Sequence, residues 1–129
     1  MGDRNIVKSI ADENKPVIVG LCKGRHELPV EVYIFEREID PLDFITMRRT
    51  VEKFILDHVG LTTETRVALD QRYEDDVPCF TGEHKLIVYV TGLTAATAAV
   101  IQVCAMNGVQ LTLMHFDRDT GEYVPQEIF

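Results

Sequence analysis

The sequence has few cysteines and no long apolar run. Its 3 cysteines, Cys22, Cys79 and Cys104, are odd in number and lack C-x-x-C spacing, which argues against a disulfide framework and against a zinc knuckle. No apolar segment approaches the roughly 20 residues that cross a bilayer, and the first residues lack the apolar core of a secretory signal. We therefore expect a soluble cytoplasmic protein without a membrane segment.

Common catalytic and cofactor-binding motifs are also absent. The chain has no G-x-x-x-x-G-K-[ST] phosphate loop, no G-x-G-x-x-G, no H-E-x-x-H and no G-x-S-x-G. The stretch from Asp117 to Gly121 imitates the start of a calcium loop, but glycine stands at its fifth position and Ile128 at its twelfth, where such a loop needs glutamate. We interpret the stretch as a plain turn and predict neither a metal site nor a cofactor.

Positive charge is scarce in this chain. It has 13 basic and 21 acidic residues, which give a net charge of -8, so its mean field repels phosphate polymers and argues against binding duplex nucleic acid through a basic face. Any anionic ligand must be held in a local pocket. With 129 residues, 46% of them hydrophobic, the chain suits one compact domain, in which residues 1–16 are expected to form a flexible arm or a short helix.

The first half of the chain carries strand patterns followed by a helix pattern. Residues 17–22 and 29–35 are rich in β-branched and aromatic residues and predict two strands, joined as a hairpin through residues 23–28. Asp40 before proline predicts the start of an amphipathic helix, and Gly60 predicts its end.

The second half predicts a βαβ unit. An apolar strand at 86–90, an alanine-rich helix at 95–107 and a strand at 110–116 follow one another with short joints, which implies parallel strands. Residues 123–128 can then pair back antiparallel. The predicted fold class is therefore α/β: a small single domain with a mixed β-sheet, an N-terminal β-hairpin, two main helices and a C-terminal βαβ unit followed by a hairpin.

The two helices differ at their amino ends. The first has Asp40 and Asp43 there, whereas the second has Thr94 as its expected N-cap and no acid in its first turn. Its backbone N–H groups are therefore unopposed and can bind a phosphate, and Gly92 would allow close approach of the backbone. The alternative is a plain cap, in which Thr94 only begins the helix.

Position favours the anion hypothesis. Ligands of open α/β sheets gather at the carboxyl ends of parallel strands, where the neighbouring strand brings His115, Asp117 and Arg118. We expect His115 and Asp117 to share a hydrogen bond. Lys23, Arg25 and His26 in the predicted hairpin loop either close over the ligand or are only solvated. The predicted ligand-binding residues are Thr91, Gly92, Leu93, Thr94, Ala95, Thr97, His115, Arg118, Arg25 and Lys23.

Residues 86–128 read LIVYVTGLTAATAAVIQVCAMNGVQLTLMHFDRDTGEYVPQEI. This stretch resembles the CRISPR-associated Rossmann-fold (CARF) group of prokaryotic antiviral signalling, which includes ring nucleases and nucleotide sponges, some of them used in viral counter-defence. The resemblance implies a small nucleotide ligand, such as a cyclic oligonucleotide or an ADP-ribose derivative, and we expect Tyr33 or Tyr123 to stack on its base. If the protein is viral, its expected location is the host cytoplasm. It also implies a homo-oligomer, a dimer or higher, with the ligand bound across a two-fold axis.

Three hypotheses follow from these patterns. In the first the protein sequesters a small nucleotide signal without chemistry, and no residue is catalytic. In the second it is a metal-independent ring nuclease, with His115 as the acid-base group and the ribose hydroxyl of the substrate as nucleophile. In the third it is a protein-interaction module that uses residues 61–84, where we expect a short edge strand near 65–72 and a long loop.

Overall fold

The computed structural model describes residues 15–24, 27–59 and 84–129. In these ranges one sheet of five strands, in the order β2-β1-β3-β4-β5, is combined with two helices. β5 is antiparallel to β4, and the other neighbours pair in parallel. The elements are β1 (Val17–Cys22), β2 (Tyr33–Phe35), α1 (Phe44–His58), β3 (Lys85–Tyr89), α2 (Thr94–Asn107), β4 (Gln110–Asp117) and β5 (Glu122–Glu127).

The predicted fold class is confirmed, and so is its C-terminal unit. β3, α2 and β4 form the expected βαβ unit, and β4 and β5 form a hairpin whose turn includes Gly121 at φ 73°. The arm expected at 1–16 falls mostly outside the described residues, as does the edge strand expected near 65–72. Within the described ranges, neither helix combines the length and the apolar content that a membrane crossing needs.

The observed strand directions contradict the predicted N-terminal hairpin. β1 and β2 are parallel neighbours, with Gly20 opposite Tyr33 and Cys22 opposite Phe35. The connection between them is longer than predicted, because β2 begins only at Tyr33. Its Leu28 is buried against the sheet next to Gly20. Apolar alternation indicates a strand but not its direction, so the sequence pattern could not distinguish the two arrangements.

The hydrophobic core lies between the helices and one face of the sheet. α1 and α2 pack against each other, and α1 buries the apolar positions that its periodicity predicts. The buried residues of α1 are Met47, Val51, Phe54 and Ile55. On the facing side of the sheet Val19, Val88 and Leu111 are fully buried. The small residues Ala96 and Ala99 on the buried side of α2 allow the helix to pack closely against the core.

The start of α1 also differs from the prediction. The N-cap is Asp43, whose carboxylate accepts hydrogen bonds from the Thr46 amide (3.1 Å) and the Thr46 hydroxyl (2.7 Å). These bonds hold the pKa of Asp43 below its usual value. Asp40 instead accepts from the Leu42 amide in the preceding turn. Two acids three residues apart can both cap a helix, and the one followed by Thr46 gains two bonds. The predicted stop at Gly60 lies outside the described residues.

The order of the strands creates a switch point. From β1 the chain moves to β2 on one side, and from β3 it moves to β4 on the other side. The loops that leave the carboxyl ends of β1 and β3 therefore diverge and open a crevice between them. Ligands of open α/β sheets bind in such crevices.

Candidate anion-binding site

A cavity of about 640 Å³ opens at the carboxyl edge of the sheet. Three parts of the fold contribute to its wall: the β1–β2 connection, the β3–α2 junction and the β4–β5 hairpin. The lining residues are Glu27 and Leu28 from the first, Val90, Thr91, Gly92, Thr94 and Thr97 from the second, and His115, Phe116, Arg118 and Tyr123 from the third. The cavity thus coincides with the switch point and contains most of the predicted ligand-binding residues.

The amino end of α2 has no side-chain cap. Leu93 stands at the N-cap position in an extended conformation, with no side-chain hydrogen bond and no acid in the first turn. The Leu93 amide donates to the Thr91 carbonyl, and the Thr97 amide donates to the Leu93 carbonyl at 3.2 Å. The three amides between them, from Thr94 to Ala96, have no hydrogen-bond partner among the described residues.

The prediction that Thr94 caps the helix is wrong. Thr94 is the first helical residue and is exposed, because the tight turn between Thr91 and Leu93 starts the helix one residue earlier than expected. The consequence favours an anion, since a leucine cannot satisfy any of the first-turn amides. The positive end of the helix dipole therefore lies open at the cavity wall.

Thr91 carries an unusual polar atom. The residue is 5% exposed, and its buried hydroxyl oxygen has no hydrogen-bond partner within residues 15–24, 27–59 and 84–129. Leaving a buried hydroxyl unsatisfied costs about 1–3 kcal/mol, and such groups are rare enough in folded proteins to need an explanation. Thr91 also lines the cavity, so its hydroxyl lies next to the space in which a ligand would bind.

Neither the backbone conformation nor the surrounding space at position 92 requires a glycine. Its φ is not among the positive values of the described glycines, and a Cβ added there meets no atom within 4 Å. The residue is exposed on the cavity wall. Its lack of a side chain therefore serves to leave room at the wall, in contrast to Gly20, where a Cβ would come within 2.6 Å of the Tyr33 ring.

Two predicted polar interactions are corrected. The Thr97 hydroxyl donates to the Leu93 carbonyl at 3.3 Å, so it is engaged within the helix and is not an additional donor for a ligand. His115 does not bond Asp117: its Nε2 lies 2.8 Å from Gln126 Oε1, while Asp117 Oδ1 accepts from the Asp119 amide. Asp117 stands where the hairpin turns, and the nearby turn amide satisfies it first.

Aromatic rings form one side of the cavity rim. The centroid of the Tyr123 ring lies 4.8 Å from that of Tyr89, with the two rings edge to face, and 5.3 Å from the ring centroid of Phe116. Phe116 is 53% exposed, which leaves ring surface on which a base can stack. Of the two tyrosines predicted to stack, Tyr123 lines the cavity, whereas Tyr33 covers Gly20.

Sequence reasoning missed four of the lining residues. They are Glu27, Leu28, Val90 and Phe116. A signal for Phe116 was available, because in the predicted hairpin it pairs directly with Tyr123. For Glu27 and Leu28 no signal was available, since their place depends on the unforeseen path of the β1–β2 connection.

The remaining predicted residues lie apart from the cavity or outside the described residues. Leu93 and Ala95 belong to the junction but do not line the cavity. Lys23 lines a separate depression with Arg37 and Glu38. Arg25 is outside the described ranges. In those ranges no group of three or more metal-binding side chains occurs, and the stretch from Asp117 to Gly121 is a turn, as interpreted from the sequence.

The buried thiol of Cys104 takes no part in the site. It lies on the core side of α2, and burial raises its pKa to about 12. The thiol is therefore protonated at neutral pH, which makes it a poor nucleophile.

Comparison of the chain with protein-family models, with curated proteins and with solved structures gives no match.

Proposed function

We propose that the protein binds and sequesters a small anionic nucleotide signal, with a phosphate at the turn from Thr91 to Thr97. One observation carries the proposal: among the described residues, the amides from Thr94 to Ala96 and the buried Thr91 hydroxyl have no hydrogen-bond partner, and Thr91 and Thr94 line the same cavity. These groups are donors within one turn of the chain, and a phosphate offers several acceptor oxygens in one place.

The other walls of the cavity suit the rest of a nucleotide. Arg118 can pair with a phosphate oxygen, and the exposed face of Phe116 and the ring of Tyr123 can stack with a base. The resemblance to CARF proteins favours a cyclic oligonucleotide or an ADP-ribose derivative, and a role in antiviral signalling or its suppression. A homo-oligomer would bring two helix termini to one ligand, so that two phosphates are held together.

A second candidate function is cleavage of the same ligand. The observation that favours it is the place of His115 on the cavity wall, with Nε2 next to Gln126 Oε1. This contact can orient the ring, whose donor and acceptor roles depend on the tautomer. In the tautomer that has its proton on Nε2, Nδ1 can accept a proton from a substrate. The third hypothesis, a protein-interaction surface at 61–84, falls outside the described residues except for His84.

Ligand release from purified protein separates sequestration from cleavage. The protein is incubated with cyclic oligonucleotides and ADP-ribose derivatives, desalted and denatured, and the released compound is identified by mass spectrometry. Intact ligand supports sequestration, whereas a linear product that depends on His115 supports a nuclease. If no compound is retained at micromolar concentration, the proposed function is wrong.

Thr94→Glu tests where the ligand sits. The new carboxylate would lie where the phosphate is expected, and repulsion between like charges should weaken binding at least about tenfold. The fold should be preserved, because an acid in the first turn stabilises an exposed helix end by about 0.3–1 kcal/mol. Ala98→Glu is the matched control: it adds the same charge at an exposed α2 position that does not line the cavity. Equal affinity of the two variants in calorimetric titration would argue against the site.

A further inference from the structure

Glu27 is an unexpected residue in a site for anions. It lines the same cavity as the open end of α2, and its side chain has no ion pair or hydrogen bond among the described residues. It is also exposed, so the fold gains nothing visible from its charge. A carboxylate in this position repels anions and accepts hydrogen bonds only, and it therefore affects which anions can enter.

The charges of the described cavity wall nearly balance. Glu27 contributes one negative charge and Arg118 one positive charge, and neither pairs with the other in the structure. The amino end of α2 adds the equivalent of about half a positive charge. This sum can offset one phosphate charge, but it cannot offset the several charges of a polyphosphate, which the net charge of -8 also repels.

We propose that Glu27 restricts the site to nucleotides with one phosphate charge per nucleoside, such as cyclic oligonucleotides, and excludes pyrophosphates, which include nucleoside di- and triphosphates and ADP-ribose derivatives. This inference rests on the proposed function, since it assumes that the cavity takes a nucleotide. The phosphodiester charge meets the α2 amides and the Thr91 hydroxyl, while Glu27 accepts hydrogen bonds from hydroxyl or amino groups of the nucleoside. A terminal phosphate chain would bring further negative charge into the same cavity.

The size of the cavity makes the repulsion measurable. A sphere of the observed volume is about 11 Å across, close to the Debye length of about 10 Å at 0.1 M salt. Without added salt, one additional negative charge at that distance from Glu27 should lower the affinity of the ligand between about twofold and about thirteenfold, depending on the effective dielectric constant. At 0.1 M salt, screening should reduce this factor to between about 1.2 and about 2.3. The effect should shrink as salt is added.

The test compares ligands of rising charge with wild-type protein and with Glu27→Gln. The probes are 3′,5′-cyclic monophosphates, cyclic dinucleotides, 5′-diphosphates and 5′-triphosphates of the four nucleosides, titrated calorimetrically with EDTA present. We expect wild-type affinity to fall as the charge per nucleoside rises. In buffer without added salt, Glu27→Gln should improve triphosphate binding relative to the cyclic compounds by at least the factor for one additional charge, about two- to thirteenfold. Glu31→Gln is the control, because it removes an exposed acid that does not line the cavity.

The outcomes distinguish this inference from the proposed function. Two results would contradict the proposed role of Glu27 but leave the proposed nucleotide site unaffected. In the first, triphosphates bind wild-type protein as tightly as the cyclic compounds do. In the second, Glu27→Gln and Glu31→Gln change every affinity by the same factor. If no probe binds at millimolar concentration, the proposed function fails and the inference fails with it.

Discussion

The unpartnered hydroxyl of Thr91 predicts opposite effects of one substitution on stability and on binding. Thr91→Val replaces the hydroxyl by a methyl group of similar size and leaves no unsatisfied buried oxygen. The variant should therefore gain about 1–3 kcal/mol in free energy of unfolding. For a domain of this length that gain corresponds to a rise in melting temperature of roughly 3 °C per kcal/mol.

The same substitution should weaken ligand binding. A hydrogen bond to a charged phosphate contributes about 1.5–3 kcal/mol, so its loss should reduce affinity about 10- to 150-fold. A group that is retained although it destabilises the free protein is typical of a binding site. Chemical denaturation gives the first quantity, and calorimetric titration with the retained ligand gives the second.

Thr97→Val provides the matched control. The Thr97 hydroxyl has a partner in the Leu93 carbonyl, so its removal should not stabilise the protein. If Thr91→Val proves less stable than the wild type, the Thr91 hydroxyl has a partner in solution, and the argument from its missing acceptor is refuted.

Two glycines give further predictions. Gly92→Ala should raise the free energy of unfolding by about 0.4–1 kcal/mol, because φ of Gly92 is not positive and the added methyl group meets open space. Ligand affinity should fall several-fold. A destabilised variant with normal affinity would contradict the role of Gly92 in leaving room for the ligand. Gly20→Ala should instead destabilise the fold by about 1–3 kcal/mol, since its methyl group would come within 2.6 Å of the Tyr33 ring. A denaturation midpoint equal to that of the wild type would contradict this prediction and show that the ring moves aside freely.

Local sequence patterns were sufficient for the C-terminal half of the fold. The apolar run before Thr91, the small residues of α2 and the left-handed Gly108 specify a strand, a helix and its end, since each signal acts on its own neighbours. The place of the candidate site followed from the same patterns, because the carboxyl end of a parallel strand fixes where the next helix begins.

The N-terminal half depended on contacts between distant residues. The direction of β2 is set by the path of the β1–β2 connection and by the packing of Leu28 and Tyr33 over Gly20. No short window of sequence contains that information. For the same reason Glu27 could not be assigned to the cavity in advance, although it is the charge that bears most directly on ligand choice.

The side-chain partners at the site were also not predictable from spacing alone. His115 and Asp117 alternate onto one face of β4, yet Gln126 of the neighbouring strand bonds His115, and the turn amide of Asp119 bonds Asp117. Competition between several possible partners decides such contacts, and it depends on the register of β5.

The central claim is that a phosphate lies at the amino end of α2, and amide chemical shifts test it most directly. Two-dimensional ¹H–¹⁵N spectra would be recorded while a cyclic dinucleotide, or the ligand retained in the release experiment, is added. The account predicts the largest downfield shifts at the amides from Thr94 to Ala96, which have no hydrogen-bond partner in the part of the chain that the structure describes. Saturable binding with these three amides unchanged, and with shifts confined to the depression around Lys23 and Arg37, would contradict it.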